Sequence, residues 1–216
     1  MIIIRQCSNP LCRLRFPADF TKKADEFCPL CGKLLNALEF EEYAAFPANN
    51  STFLPTRVEC LVDNVRSIYN VGSIFRTSDG LGLQHIYLCG ITPTPDNPKL
   101  AKTALGAEHA IGWTYHRNSL DVVSQAKLDG KIILALEATG QSQSIFDAIK
   151  DTKNNPVLLV VGNEVHGVDP GILSQSDKIS HIPMFGKKES FNVATAFGIA
   201  AFLIRFAENG SFPSGS

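Results

Sequence analysis

The segment PVLLVVG, residues 156–162, is apolar at every position between its proline and its glycine. A strand with one wetted face alternates apolar and polar residues; a strand that does not alternate is buried on both faces. Burial on both faces requires helices above and below the sheet, which is the habit of parallel α/β sheets. The chain from Arg57 onward agrees. VECLV (58–62), HIYLCG (85–90), KIILALE (131–137) and KISHIPM (178–184) are further strand candidates, and IGWTY (111–115) is a weaker one. Helical spacing fills the gaps at Val71–Leu81, Leu120–Leu128, Ser144–Lys150, Pro170–Ser176 and Phe191–Glu208. The expected architecture is α/β, a mostly parallel sheet with helices on both faces.

In such sheets ligands bind past the carboxyl ends of the strands. The loops GNEVHGVD (162–169) and FGKKESFN (185–192) mix glycine with polar residues at the exits of two buried strands. Neither has the glycine spacing of a dinucleotide loop or of a Walker loop, so NAD and nucleoside triphosphates lose most of their support. A net charge of −1 argues against a broadly basic nucleic-acid binder and leaves room for a local patch. MIIIRQC is too short and too interrupted for a signal peptide. The longest apolar run, Val193–Ile204, falls short of the roughly 20 residues that span a bilayer. A cytoplasmic protein is expected. In that run only Thr195 is polar, which predicts a helix buried on all sides, packed on the sheet and either on a second subunit or within one chain.

Four of the six cysteines fall within the first 31 residues: Cys7 and Cys12 in CSNPLC, Cys28 and Cys31 in CPLCG. The second pair has the form of a metal knuckle, two thiolates on a tight turn that Gly32 releases. The first pair has four intervening residues rather than two, and two disulfides or merely packed thiols remain the alternatives. Without export signals, a structural zinc site fits better. Residues 1–40 thus read as a zinc ribbon too small to fold without its metal. Its mixed charges, Arg13, Arg15, Lys22 and Lys23 against Asp19, Asp25 and Glu26, suit an RNA contact and a plain solvated face equally. The stretch AAFPANNSTFLPT lacks periodicity and places a linker at 41–56, ahead of a domain over 57–209 and a flexible tail at 210–216. Cys60 and Cys89 lie in apolar runs and read as core thiols.

Three blocks carry a resemblance to a known family. NVGSIFRTSDGLG follows an Asn-x-Gly-x-x-x-Arg-Thr pattern at Asn70, Gly72, Arg76 and Thr77. VVGNEVHGVD is similar to Gly-x-Glu-Gly-x-Gly at Gly162, Glu164 and Gly167, and IPMFGKKESFNVATA is similar to Ile-Pro-Met-x-Gly-x-x-x-Ser-Leu-Asn-Val-Ala from Ile182 to Ala194. Together these resemble the signature motifs of the SpoU family of RNA ribose 2′-O-methyltransferases, within the SPOUT class. Val165 stands where the pattern has glycine, and Phe191 where it has leucine.

The resemblance implies a C-terminal trefoil knot, a shape that pattern reading would not propose. It also implies an S-adenosylmethionine pocket at the knot, a homodimer, and a tRNA or rRNA substrate. The expected cofactor contacts are Leu136, Gly162, Ile182, Met184 and Phe191, largely through main chain. Arg76 is the expected catalytic residue, as a base or, since guanidinium is hard to deprotonate, as a phosphate clamp. Asn70, Glu164, Ser190 and Asn192 are expected to orient it and the ribose. The plain alternative pairs Arg76 with Asp79 on a solvated helix. A catalytically inactive RNA-binding protein on the same scaffold is the alternative function. KTALGAEHA (102–110) reads as either a substrate-facing or a structural loop, and His109 and His166 are given no role.

Overall fold

The structure, a computed structural model, describes residues 2–19, 26–35, 56–153 and 155–208. The chain divides into two compact units, Met1–Thr52 and Phe53–Ser216. Most of the expected linker and the expected tail lie outside the described residues.

In the first unit, strands β1 (Ile2–Gln6) and β2 (Arg15–Asp19) pair antiparallel. Its small core gathers Cys7, Cys28 and Leu35, with Cys12, Leu14 and Phe16 against them.

The second unit is built on seven strands: β3 (Val58–Asp63), β4 (His85–Cys89), β5 (Gly112–His116), β6 (Ile132–Leu136), β7 (Gln143–Ser144), β8 (Val157–Val161) and β9 (Lys178–His181). Their order is β5-β4-β3-β8-β6-β9-β7, and every neighbouring pair is parallel. Central β8 is buried at all five positions. Val157, Leu159 and Val161 join one core, and Leu158 and Val160 the other. The first core is covered by α1 (Ile68–Leu81), α2 (Pro98–Ala104), α3 (Ala107–Ala110), α5 (Ile145–Ala148) and α7 (Val193–Glu208); the second by α4 (Ser119–Leu128) and α6 (Pro170–Gln175). Cys60 and Cys89 are buried, one in each core.

Helix α1 begins three residues before the expected Val71, because the hydroxyl of Ser67 caps it, accepting from the Asn70 N–H at 3.4 Å. Val71, Ile74, Phe75 and Ser78 form its buried face. Gly72 belongs to that packing. A Cβ there would overlap Thr103, whose hydroxyl donates to the Leu100 carbonyl at 2.8 Å, so the glycine admits α2 against α1. Two elements lie in the stretch read as an open loop. Asn97 caps α2, Pro98 occupies its first turn, and Leu105 ends it in a left-handed conformation. Helix α7 is less enclosed than expected. Phe197, Ala200, Ala201 and Ile204 are buried, whereas Phe202 on another face is 47% exposed. Among the described residues, no helix is long and apolar enough to cross a membrane.

Candidate active site and metal centre

The loops that leave β6, β8 and β9 meet around a cavity of about 380 Å³. All five expected cofactor residues, Leu136, Gly162, Ile182, Met184 and Phe191, line it. Gly162 is forced by proximity: a Cβ would overlap the backbone of Gly167 and Val168. Gly167 itself has φ +72° and closes a tight loop in which it exchanges both backbone hydrogen bonds with Asn163 at 2.9 Å. The Asn163 carboxamide accepts from the N–H groups of Val165 and His166 and donates to the Asn64 carbonyl at 2.7 Å, which fixes the loop to the end of β3. The two departures from the family pattern both sit here. Val165 is 72% exposed and Phe191 40%, so neither forces a clash in the loop that carries it.

A hydrogen-bonded chain ties the three motif blocks together. Glu164 accepts from the backbone N–H of Arg66 at 3.0 Å and of Ser67 at 2.9 Å, at the start of α1. It also accepts from Asn70 Nδ2 at 2.9 Å. Asn70 Oδ1 then accepts from Asn192 Nδ2 at 3.0 Å. Asn192 Oδ1 accepts from the N–H groups of Ala194 and Thr195, and so caps α7. Every amide atom in the chain has a defined role, which fixes both asparagine orientations. Burial pushes the Glu164 carboxyl up, but the donors from Arg66, Ser67 and Asn70 outweigh it and hold it below its ordinary value near 4.5. An anchored, readily ionised carboxylate at a helix N-terminus organises backbone; it is a poor proton acceptor.

Of the expected catalytic residues, Glu164, Ser190 and Asn192 line the cavity, and Asn70 joins it through the chain above. Arg76 is exposed on α1 and is not part of the lining. It follows Asn70 by six residues, about 9 Å along the axis and about 120° around it. None of the other four touches it, and no ion pair joins it to Asp79 among the described residues. The cavity adds residues that sequence patterns did not single out, among them Glu137, His181 and Glu189. Glu137 accepts from the Val168 N–H at 2.9 Å, holding the two loops together. The position of Glu137 at the exit of β6 was its only sequence signal.

In the first unit the sulfurs of Cys7, Cys12, Cys28 and Cys31 lie within 4.8 Å of one another. Cys7 and Cys31 are 3.4 Å apart, and Cys12 and Cys28 3.7 Å, far from the roughly 2 Å of a disulfide. Ligands at the usual metal–sulfur length of about 2.3 Å, set tetrahedrally, stand about 3.8 Å apart. The donor set and spacing therefore fit a four-thiolate metal centre. Gly32, at φ +69°, donates to the Cys28 carbonyl at 2.8 Å and makes the second knuckle. The longer first knuckle works because Asn9 folds its two extra residues into a turn, its side chain accepting from the Leu11 N–H at 3.0 Å and its carbonyl from the Cys12 N–H at 2.9 Å.

The model of the SpoU rRNA methylase family matches residues 57–202. The chain belongs to that family. It is 31% identical over 145 residues to 23S rRNA (guanosine(2553)-2′-O)-methyltransferase RlmP of Bacillus subtilis, covering 67% of this chain and 56% of that protein. It is 33% identical over 144 residues to tRNA (guanosine(18)-2′-O)-methyltransferase of Aquifex aeolicus, covering 65% of this chain and 64% of that one. The chain thus spans less than two thirds of the length of these curated relatives. Among solved structures, the A. aeolicus TrmH/SpoU tRNA modifying enzyme matches with a TM-score of 0.65 and 27% identity, over 74% of this chain and 81% of that one. An AdoMet-bound rRNA methyltransferase from Sinorhizobium meliloti matches with a TM-score of 0.63 and 27% identity, over 71% and 60%. The family match begins at the start of β3 and leaves the four-cysteine unit outside it.

Proposed function

We propose that this protein is an S-adenosylmethionine-dependent methyltransferase acting on a ribose 2′-hydroxyl of tRNA or rRNA. The observation that carries the reading is the Glu164–Asn70–Asn192 chain, which binds all three family motifs into one constellation beside the cavity. The relatives' names supply the reaction class. The cavity volume is that of a small-molecule site, at the carboxyl ends of parallel strands. Its walls suit the cofactor: Leu136, Ile182, Met184 and Phe191 for an adenine ring, and the carboxylates of Glu137 and Glu189 for a cationic sulfur. When bound, S-adenosylmethionine supplies an electrophilic methyl group.

The chain's own residues then have to seat the ribose and manage its proton. Ser190 and Asn192 line the cavity, and in this reading the Ser190 hydroxyl and the second Nδ2 hydrogen of Asn192 bond the ribose. Arg76, whose guanidinium has no partner among the described residues, clamps an RNA phosphate and favours the developing alkoxide. Glu164 keeps α1 and the 162–167 loop in register, so these groups are aligned before substrate arrives. We infer the family's homodimer as well. It is supported by the exposed Phe202 on α7, whose ring lies 4.2 Å from that of half-buried Phe206 at a 31° tilt, and by the separation of Arg76 from the cavity within one chain. The trefoil knot is supported by β8 lying inside β6, with β9 beyond it, before the chain returns to α7 against α1. Zinc is the metal that the four thiolates favour. A cytoplasmic site of action follows from an RNA substrate.

The test is incubation with S-adenosylmethionine and unmodified tRNA and rRNA transcripts, followed by nucleoside mass spectrometry. A 2′-O-methylated nucleoside is expected in one class, and the same nucleoside should be missing from RNA of a strain lacking the protein. Absence of calorimetric binding of S-adenosylmethionine, with and without RNA, would sink the reading.

A further inference from the structure

His181 ends β9 and lines the cavity. Strand β7 lies beside it in register, with Ser144 opposite His181. The turn before β7 presents Ser142, whose Oγ makes three contacts. It accepts from the Thr139 N–H at 3.1 Å, donates to the Thr139 carbonyl at 2.7 Å, and meets His181 Nδ1 at 2.9 Å. A hydroxyl has one proton and two lone pairs. The Thr139 carbonyl only accepts, so the proton is committed there. The remaining lone pair faces Nδ1, and Nδ1 must carry the hydrogen. In the neutral ring, Nε2 is then a bare acceptor, and it has no partner among the described residues.

We propose that His181 is a cofactor-positioning residue: Ser142 fixes its tautomer, and Nε2 accepts a hydrogen bond from an amine or hydroxyl of a nucleoside ligand in the cavity. The assignment rests on the cofactor reading above. It differs from the expected main-chain grip because it gives the pocket a side-chain acceptor, which discriminates against a ligand lacking the matching donor. An unmatched acceptor would be desolvated for nothing, a larger penalty than the bond is worth when made.

The ring can be examined without any ligand. A proton–nitrogen correlation spectrum of histidine-labelled protein is expected to show His181 as the Nδ1–H form. Its change to the Nε2–H form or a tautomer mixture in S142A is expected; an Nε2–H ring in the wild type overturns the proposal. Binding is then read by calorimetry with S-adenosylhomocysteine. H181F is expected to weaken it about tenfold, the size of one hydrogen bond. H181N, which can serve Ser142 but offers no acceptor at the ε position, should bind as weakly as H181F. H181Q, whose carbonyl reaches that position, should recover most of the loss. Equal affinity for wild type and H181F, or recovery by asparagine rather than glutamine, overturns the proposal while leaving the cofactor reading intact. No binding by the wild type overturns both.

Discussion

Substituting Asn70 by aspartate and by alanine separates an organising hydrogen-bond chain from mere proximity, because the two changes are expected to rank against steric intuition. Alanine removes both side-chain bonds, the one to Glu164 at 2.9 Å and the one from Asn192 at 3.0 Å. A bond to a charged acceptor contributes about 1.5–3 kcal/mol and a neutral one about 0.5–1.5. Both sit near solvent, so N70A should cost about 1–3 kcal/mol in all. Aspartate is isosteric and still accepts from Asn192. It also replaces the Nδ2 donor with a carboxylate oxygen facing Glu164. Two like charges about 4 Å apart repel by about 1 kcal/mol in water and about 4 at an intermediate dielectric. N70D should therefore be the less stable variant at neutral pH, with each kcal/mol lowering the melting temperature of a domain this size by about 2–4 °C. The pH slopes should oppose each other. In the wild type the depressed Glu164 carboxyl contributes stability above its ordinary value near 4.5, and that stability fades as pH falls through the lower folded value. In N70D the paired carboxylates take up a proton more readily, so acid relieves the strain and the variant gains on N70A. Calorimetric melts across the acid range read both effects. If N70D melts with or above N70A at neutral pH, the orientation assigned to these amides is wrong.

Three other outcomes are expected. G162A should lose S-adenosylmethionine binding and about 1–3 kcal/mol of stability, since its methyl group meets the backbone of Gly167 and Val168, which no rotamer change can clear; calorimetry and thermal melts check both. R76A should abolish methyl transfer while leaving cofactor affinity unchanged, and R76K should also fail, because a point charge does not replace a planar fork; near-normal turnover in R76A would return this arginine to ordinary surface chemistry. C28S should release the metal and unfold the first unit, leaving the second folded, as read by metal analysis and by amide spectra of the two units; metal-free wild-type protein would remove the idea.

The sheet was legible because its signal is local. VLLVV cannot sit at a wetted face, and the runs at 58–62, 85–90, 131–137 and 156–162 set four strands to within a residue, whereas KISHIPM overran β9 by three. Helices α2 and α3 were missed although Asn97-Pro98 is a readable cap and first turn. The proline-rich approach to α2, and its end at Leu105 rather than at a glycine, disguised it. The two-residue β7 carries too little pattern to read at all. The site divided along the same line. Motif spacing marked Asn70, Glu164 and Asn192, but not that an asparagine amide would join the other two. Nothing in the spacing marked His181, because its meaning depends on a hydroxyl 39 residues away.

The same chain of amides has a kinetic consequence. Its bonds join residues 94 and 122 positions apart, among the longest-range contacts in the domain. Closing such loops is slow, and the entropy they cost is lost before the contacts repay it. The complete constellation is therefore expected to assemble after the local helices and the β3–β4 pairing. A chain emerging from synthesis reaches this arrangement only once Asn192 and the first turn of α7 are available. Until then the Asn70 carboxamide oxygen has only water to accept from, and the tie between the first and third motifs is missing.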